Sequence, residues 1–174
     1  VPIGDSLLEE SMIHTAKDLL KRAEETGKKI VLPVDAVCGT SFPKGPVSIE
    51  ETKTFELVPG KGIEDGWCGF DTGPKSNDVY KESLTGVTKL VMNGPMGVFE
   101  IPPYDQGTKG LVDILEDITK QGCVTVVGGG DSVAALEQFH KAHVVSYVST
   151  GGGATLELLS GIDLPGVAAI EEIE

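Results

Sequence analysis

Three short apolar runs in the second half of the chain each break into glycine and then into helical periodicity, and this repetition constrains the fold more than any other feature. Thr88–Met92 leads into Asn93-Gly94-Pro95-Met96-Gly97, Cys123–Val127 into Gly128-Gly129-Gly130-Asp131-Ser132, and Val144–Val148 into Ser149-Thr150-Gly151-Gly152-Gly153. Helices are predicted to follow at about Gln106–Lys120, Asp131–His140 and Ala154–Leu159. Short continuous apolar strands alternating with helices imply a parallel sheet covered on both faces. The expected class is α/β, a three-layer α-β-α open, mostly parallel Rossmann-like sheet.

The first half is less regular. Ser6–Glu25 reads as an amphipathic helix with Asp5 and Ser6 at its cap, Glu9 in capping-box position, and Leu7, Leu8, Met12, Ile13, Ala16, Leu19 and Leu20 on one side. Gly27 ends it. Lys29–Val37 reads as a buried strand flawed by Pro33. Cys38–Gly73, punctuated by glycine and proline, reads as a meandering insert with an edge strand at Thr52–Val58, and Ser76–Gly86 as a short helix. With 174 residues the chain is long enough for one domain with a hydrophobic core, so residues 1–174 are read as a single domain.

Parallel strands put their carboxyl ends on one edge, so the three glycine clusters are expected along one crevice, where open α/β sheets bind ligands. Glycine lets backbone amides approach an anion, and helix N-termini add partial positive charge. One such cluster is often just a turn; three on one edge point to a phosphate site. Val133 stands where G-x-G-x-x-G requires glycine, and no glycine-lysine-Ser/Thr ending occurs, so neither the dinucleotide fingerprint nor the P-loop fits. Asp131 and Ser132 enter the second helix, where an N-cap competes with a magnesium ligand beside a phosphate-binding hydroxyl. Glu100 can accept ribose hydroxyls while Phe99 and Met96 pack a nucleoside, or it can be an ordinary loop glutamate.

The formal net charge of -13 disfavours nucleic acid and anionic membrane as partners. A phosphate must then be held by amides, helix N-termini and a divalent cation rather than by a basic patch. Cys38, Cys68 and Cys123 are odd in number and far apart, which predicts free thiols. No apolar run approaches the roughly 20 residues of a membrane span. His140 and His143 read as helix-terminal or surface residues, and Trp67 and Tyr80 as packing residues. The chain opens on Val1-Pro2-Ile3-Gly4 and is expected to begin inside a longer protein.

Taken in order, Val91–Glu100, Val127–Ser132 and Val148–Ala154 resemble the three late loops of phosphoglycerate kinases. Gly69-Phe70-Asp71-Thr72-Gly73-Pro74 and Leu32-Pro33-Val34-Asp35 are similar to earlier segments of that family, and Leu164-Pro165-Gly166-Val167 to its closing turn. The resemblance runs over essentially the whole chain. It implies the carboxyl-terminal, nucleotide-binding domain, with its sheet truncated at the N-terminal edge.

The activity it implies is reversible phosphoryl transfer between 1,3-bisphosphoglycerate and ADP in glycolysis, with Mg2+ as cofactor and ADP or ATP as ligand. By the resemblance, Gly73, Asn93, Gly94 and Met96 line the nucleotide pocket, Phe99 packs beside it and Glu100 holds the ribose. Asp131 coordinates magnesium, Ser132 touches the phosphates, and amides of Gly128, Gly151 and Gly152 stabilise the moving phosphoryl group. Ser132 replaces the usual threonine, and Lys75 a common glutamate. The family's phosphate-binding lysine, its adenine loop and its whole glycerate-binding domain would precede Val1, so 3-phosphoglycerate is expected to bind through a part absent here. The 174 residues alone are expected not to turn over substrate. The full-length protein is expected to be a monomer in the cytoplasm, with plastid or glycosome as alternatives. A Rossmann-like NAD-binding domain and a non-catalytic truncated domain are the rival readings.

Overall fold

A computed structural model describes residues 1–170; the acidic tail expected to be a solvated end, Glu171–Glu174, lies outside the described residues. The chain divides into two compact units, one formed by Val1–Thr85 with Met96–Leu111, the other by Gly86–Pro95 with the chain from Val112 onward.

The first unit is built on an antiparallel sheet of β1 (Asp35–Gly39), β2 (Lys53–Glu56) and β3 (Cys68–Thr72), in the order β2-β1-β3. Ala36, Cys38, Phe55 and Ile63 form its core, with Leu57 and Trp67 packed against them. Trp67 meets Phe55 edge to face at 5.7 Å, the packing role expected of it. The three cysteines are free thiols, and burial, with Cys68 nearby, pushes the Cys38 thiol up to about 11.

Two expectations for this unit are corrected. The run Lys29–Val37 becomes a strand only from Asp35, and Ile30 and Leu32 are exposed. Pairing sets that limit, because β2 reaches only from Lys53 opposite Cys38 to Glu56 opposite Asp35, and a Leu57 N–H to Val34 carbonyl bond closes the ladder at 2.7 Å. The first helix, α1 (Ile13–Glu25), starts well after Ser6, behind a 3-10 turn at Glu10–Met12, and buries none of its residues. Ser6 does not cap it: its hydroxyl accepts the Gly69 N–H of β3 at 2.9 Å.

Helix α2 (Pro74–Ser83) starts with proline, whose missing N–H costs nothing in a first turn. Its other first-turn donors are satisfied from a distance. The buried Asp35 carboxylate accepts the N–H groups of Lys75 (3.0 Å) and Ser76 (2.8 Å) and the Ser76 hydroxyl (2.6 Å).

The second unit contains β4 (Lys89–Asn93), β5 (Val124–Gly128) and β6 (Tyr147–Ser149), all parallel and in the order β4-β5-β6. Helix α3 (Gln106–Lys120), whose first turns belong to the first unit, leads to β5, and α4 (Gly130–Gln138) leads to β6. Helices α5 (Gly152–Leu159) and α6 (Pro165–Ala168) follow. The α/β class and the helix-flanked parallel sheet are as expected. Among the described residues, no helix is long and apolar enough to cross a membrane.

The two faces of this sheet are unequally buried. Met92, Thr125 and Val127 are buried on one face, whereas Val91, Val124 and Tyr147 on the other are 46%, 42% and 65% exposed. The strand order explains this. Two right-handed crossovers running in one direction put both connecting helices on the same face. Covering the opposite face requires the winding to reverse, and β4-β5-β6 contains no reversal.

Candidate functional site

The ladder register aligns Asn93, Gly128 and Ser149, so the three strand ends share one edge as expected. Their glycine clusters interlock. Gly152 is buried against the Gly129 backbone, where a Cβ would overlap it. Gly129 has φ of 91°, and a Cβ there would overlap the Asn93 side-chain oxygen. Only glycine satisfies both positions. Ser132, fully buried at the start of α4, accepts the Gly94 N–H on its hydroxyl at 2.7 Å. Thr155 returns its hydroxyl to the Gly151 carbonyl at 3.1 Å.

The second unit therefore brings together Asn93, Gly94, Gly128, Asp131, Ser132, Gly151 and Gly152. Asp131 and Gly151 are exposed, and a Cβ on Gly128 would meet only the Thr155 hydroxyl, at 3.8 Å. The first intrahelical bond of α4 runs from Val133 N–H to the Gly129 carbonyl, which leaves the preceding first-turn amides without helical partners. Such amides and the helix dipole suit an anion. Among the described residues, no group of three or more His, Cys, Asp or Glu side chains could hold a metal. One exposed carboxylate, Asp131, fits magnesium shared with phosphate oxygens and water, which is how Mg2+ is commonly bound. It does not fit a self-sufficient metal site.

The first unit holds Gly73, Met96, Phe99 and Glu100. Gly73 is buried, and its missing Cβ leaves room for the Asp35 carboxylate. Met96 lines a cavity of about 520 Å3 with Lys29, Val31, Tyr80, Ser83, Leu84 and Leu111. Phe99 is buried and Glu100 exposed, and neither lines that cavity. Lys75 turns its ammonium to Glu56 at 2.5 Å, and Lys61 reaches the same carboxylate at 2.9 Å. The two lysines hold Glu56 down to about 2.

Sequence reasoning missed a buried polar group beside this segment. Asp71 is 5% exposed, and its carboxylate accepts the N–H groups of Gly107 (2.6 Å) and Thr72 (2.8 Å). Burial pushes it up to about 7 against those two donors, and Asp105 adds to the rise. The fully buried Thr108 accepts the Met96 N–H on its hydroxyl at 3.0 Å. An aspartate inside an apolar strand, and small residues opening α3, were the available signals. His140 and His143 lie at the end of α4 and in the following 3-10 turn, as expected.

A family model described as phosphoglycerate kinase matches residues 1–162. A phosphoglycerate kinase of Thermosipho africanus is 45% identical over 168 residues, which are 97% of this chain and 40% of the relative. The chloroplastic phosphoglycerate kinase 1 of Arabidopsis thaliana is 43% identical, over 98% of this chain and 34% of its own length. The solved structure of phosphoglycerate kinase from Coxiella burnetii superposes with a TM-score of 0.82 at 33% identity, covering 96% of this chain and 41% of that one. The chain thus spans about 40% of the length of such relatives.

Proposed function

Because the chain belongs to the phosphoglycerate kinase family, we propose that it carries the Mg-nucleotide part of a phosphoryl transfer between 1,3-bisphosphoglycerate and ADP, yielding 3-phosphoglycerate and ATP. The observation that supports this most is the interlocked edge at Asn93, Gly129 and Gly152, capped by the buried Ser132 and the exposed Asp131. Phosphoryl transfer asks little covalent chemistry of a protein; it asks for alignment and for donors where charge accumulates.

In this reading the amides of Gly128, Gly151 and Gly152 stabilise the equatorial oxygens of the moving group. Ser132 accepts from Gly94 and retains its own proton to donate to a phosphate oxygen. Asn93 and Gly94 adjoin the phosphates, while Gly73, Met96, Phe99 and Glu100 serve the nucleoside. Of these, Glu100 is the exposed carboxylate suited to ribose hydroxyls, and the buried Phe99 acts as an anchor. Asp131 would hold Mg2+, which when bound neutralises charge between the phosphates.

The glycerate substrate binds in the portion that the longer relatives carry beyond this match, so the 174 residues alone do not turn over. The complete enzyme is monomeric, works in glycolysis, and resides in cytoplasm or plastid.

Titration with Mg-ADP, followed through amide chemical shifts, tests the reading. Gly94, Asp131 and Gly152 are expected to shift, and Asp131→Ala to abolish the magnesium dependence. Shifts at these amides with NAD and not Mg-ADP would replace it with a dinucleotide-binding function. No response to either at millimolar concentrations would leave a non-catalytic domain.

A further inference from the structure

Met96, Val98 and Glu100 lie in a segment with no regular secondary structure, yet its backbone is pinned at several points within the first unit. The Met96 N–H is held by the Thr108 hydroxyl at 3.0 Å, and the Val98 N–H by the Phe70 carbonyl of β3 at 2.9 Å. Gly97, between them, lies directly on Asp71: a Cβ at Gly97 would overlap that carboxylate, as would one at Gly107. Asp71 in turn takes the Gly107 N–H of α3 at 2.6 Å.

A threonine in the first turn of a helix ordinarily serves its own helix. Thr108 is fully buried and spends its acceptor on the loop. Asp71 supplies the remote acceptor for the helix start, so a polar bracket joins β3, the loop and α3. We propose that Thr108 and Asp71 are positioning residues for nucleotide binding, fixing the Met96–Glu100 segment in the shape that receives the nucleoside.

The inference rests on the nucleotide reading above. Its physical content is pre-organisation: a loop already ordered loses less entropy when the ligand arrives. Thr108 touches no ligand in this scheme and acts through Met96, as Asp71 acts through Gly97 and Gly107.

The test uses the 174-residue chain with two probes, Mg-ADP and Mg-pyrophosphate, the latter having phosphates and no nucleoside. Thr108→Val keeps the shape and removes the acceptor. It is expected to speed Met96 amide exchange and weaken Mg-ADP about tenfold, the loss of one hydrogen bond's worth of order. Pyrophosphate shifts at Ser132 and Gly152 should stay as in the parent chain, and Thr108→Ser should restore Mg-ADP binding. Asp71→Asn serves as the second variant and should show the same split between probes.

Equal weakening of both probes would reduce the bracket to a general structural role and overturn the proposal. So would parental Mg-ADP affinity in Thr108→Val despite faster Met96 exchange. A parent chain silent to Mg-ADP would overturn the nucleotide reading itself, an outcome distinct from a parent that binds and variants that bind equally well.

Discussion

The hydroxyl of Ser132 and the N–H of Gly94 meet at 2.7 Å across 38 residues of sequence, joining the first glycine cluster to the helix that follows the second. Ser132→Ala removes the acceptor and keeps the backbone. It is expected to lower unfolding free energy by about 1 kcal/mol, the usual worth of one such bond. Urea unfolding with an unchanged m-value would confirm a loss confined to stability.

Gly73 and Gly45 form an internal control. A methyl group at Gly73 would overlap the buried Asp35 carboxylate that caps α2, whereas one at Gly45 meets nothing within 4 Å. Gly73→Ala should therefore cost about 1–3 kcal/mol through overpacking, with Gly45→Ala close to neutral. Thermal melts of the two variants side by side measure the difference.

His140 has φ of 56°, the left-handed conformation that normally selects glycine just past a helix. The bond from Lys141 N–H to the Leu136 carbonyl, at 2.8 Å, fixes it there. His140→Gly is expected to raise stability by about 0.5–1 kcal/mol, since the strain of about 1–2 kcal/mol is partly offset by the greater freedom of unfolded glycine. A melting temperature equal to or below the parent's would contradict this.

Asp71 gives stability a pH dependence of predictable sign. Its folded carboxyl sits near 7 and its ordinary value is 3.8. Between the two, the folded chain keeps a proton that the unfolded chain has released. Stability from this group is complete below about 4, falls as pH rises, and levels off above about 7. Glu56 and Glu116, both held down to about 2 by paired lysines, act in the opposite sense, with stability lost as pH falls below about 4.5. Asp71→Asn should flatten the slope between pH 5 and 7 in denaturant unfolding; an unchanged slope would assign it to another group.

Legibility in the sequence followed the range of the interactions. Helix α3, expected at about Gln106–Lys120, has those bounds, and Leu111, Ile114, Leu115 and Ile118, which repeat at helical spacing, are all buried. The three strand ends were readable because glycine after an apolar run is a local pattern. Lys29–Val34 misled because apolarity marks burial potential and says nothing of a pairing partner. Asp35 with Ser76, separated by 41 residues, and Asp71 with Gly107, separated by 36, are long-range polar contacts without periodicity. They hold Gly73 and the Met96–Glu100 segment in place, so local pattern named several candidate residues and not what supports them.

The unreversed strand order has a colloidal consequence. Val91, Val124 and Tyr147 leave an apolar surface on a parallel sheet, and surfaces of that kind draw copies of a chain together. The net charge of -13 opposes such encounters over a range set by the ionic strength. Added salt shortens that range and strengthens the apolar attraction as well. Light scattering from this chain should therefore rise as sodium sulfate is added, and replacing Tyr147 and Val91 with threonine should move the onset to higher salt.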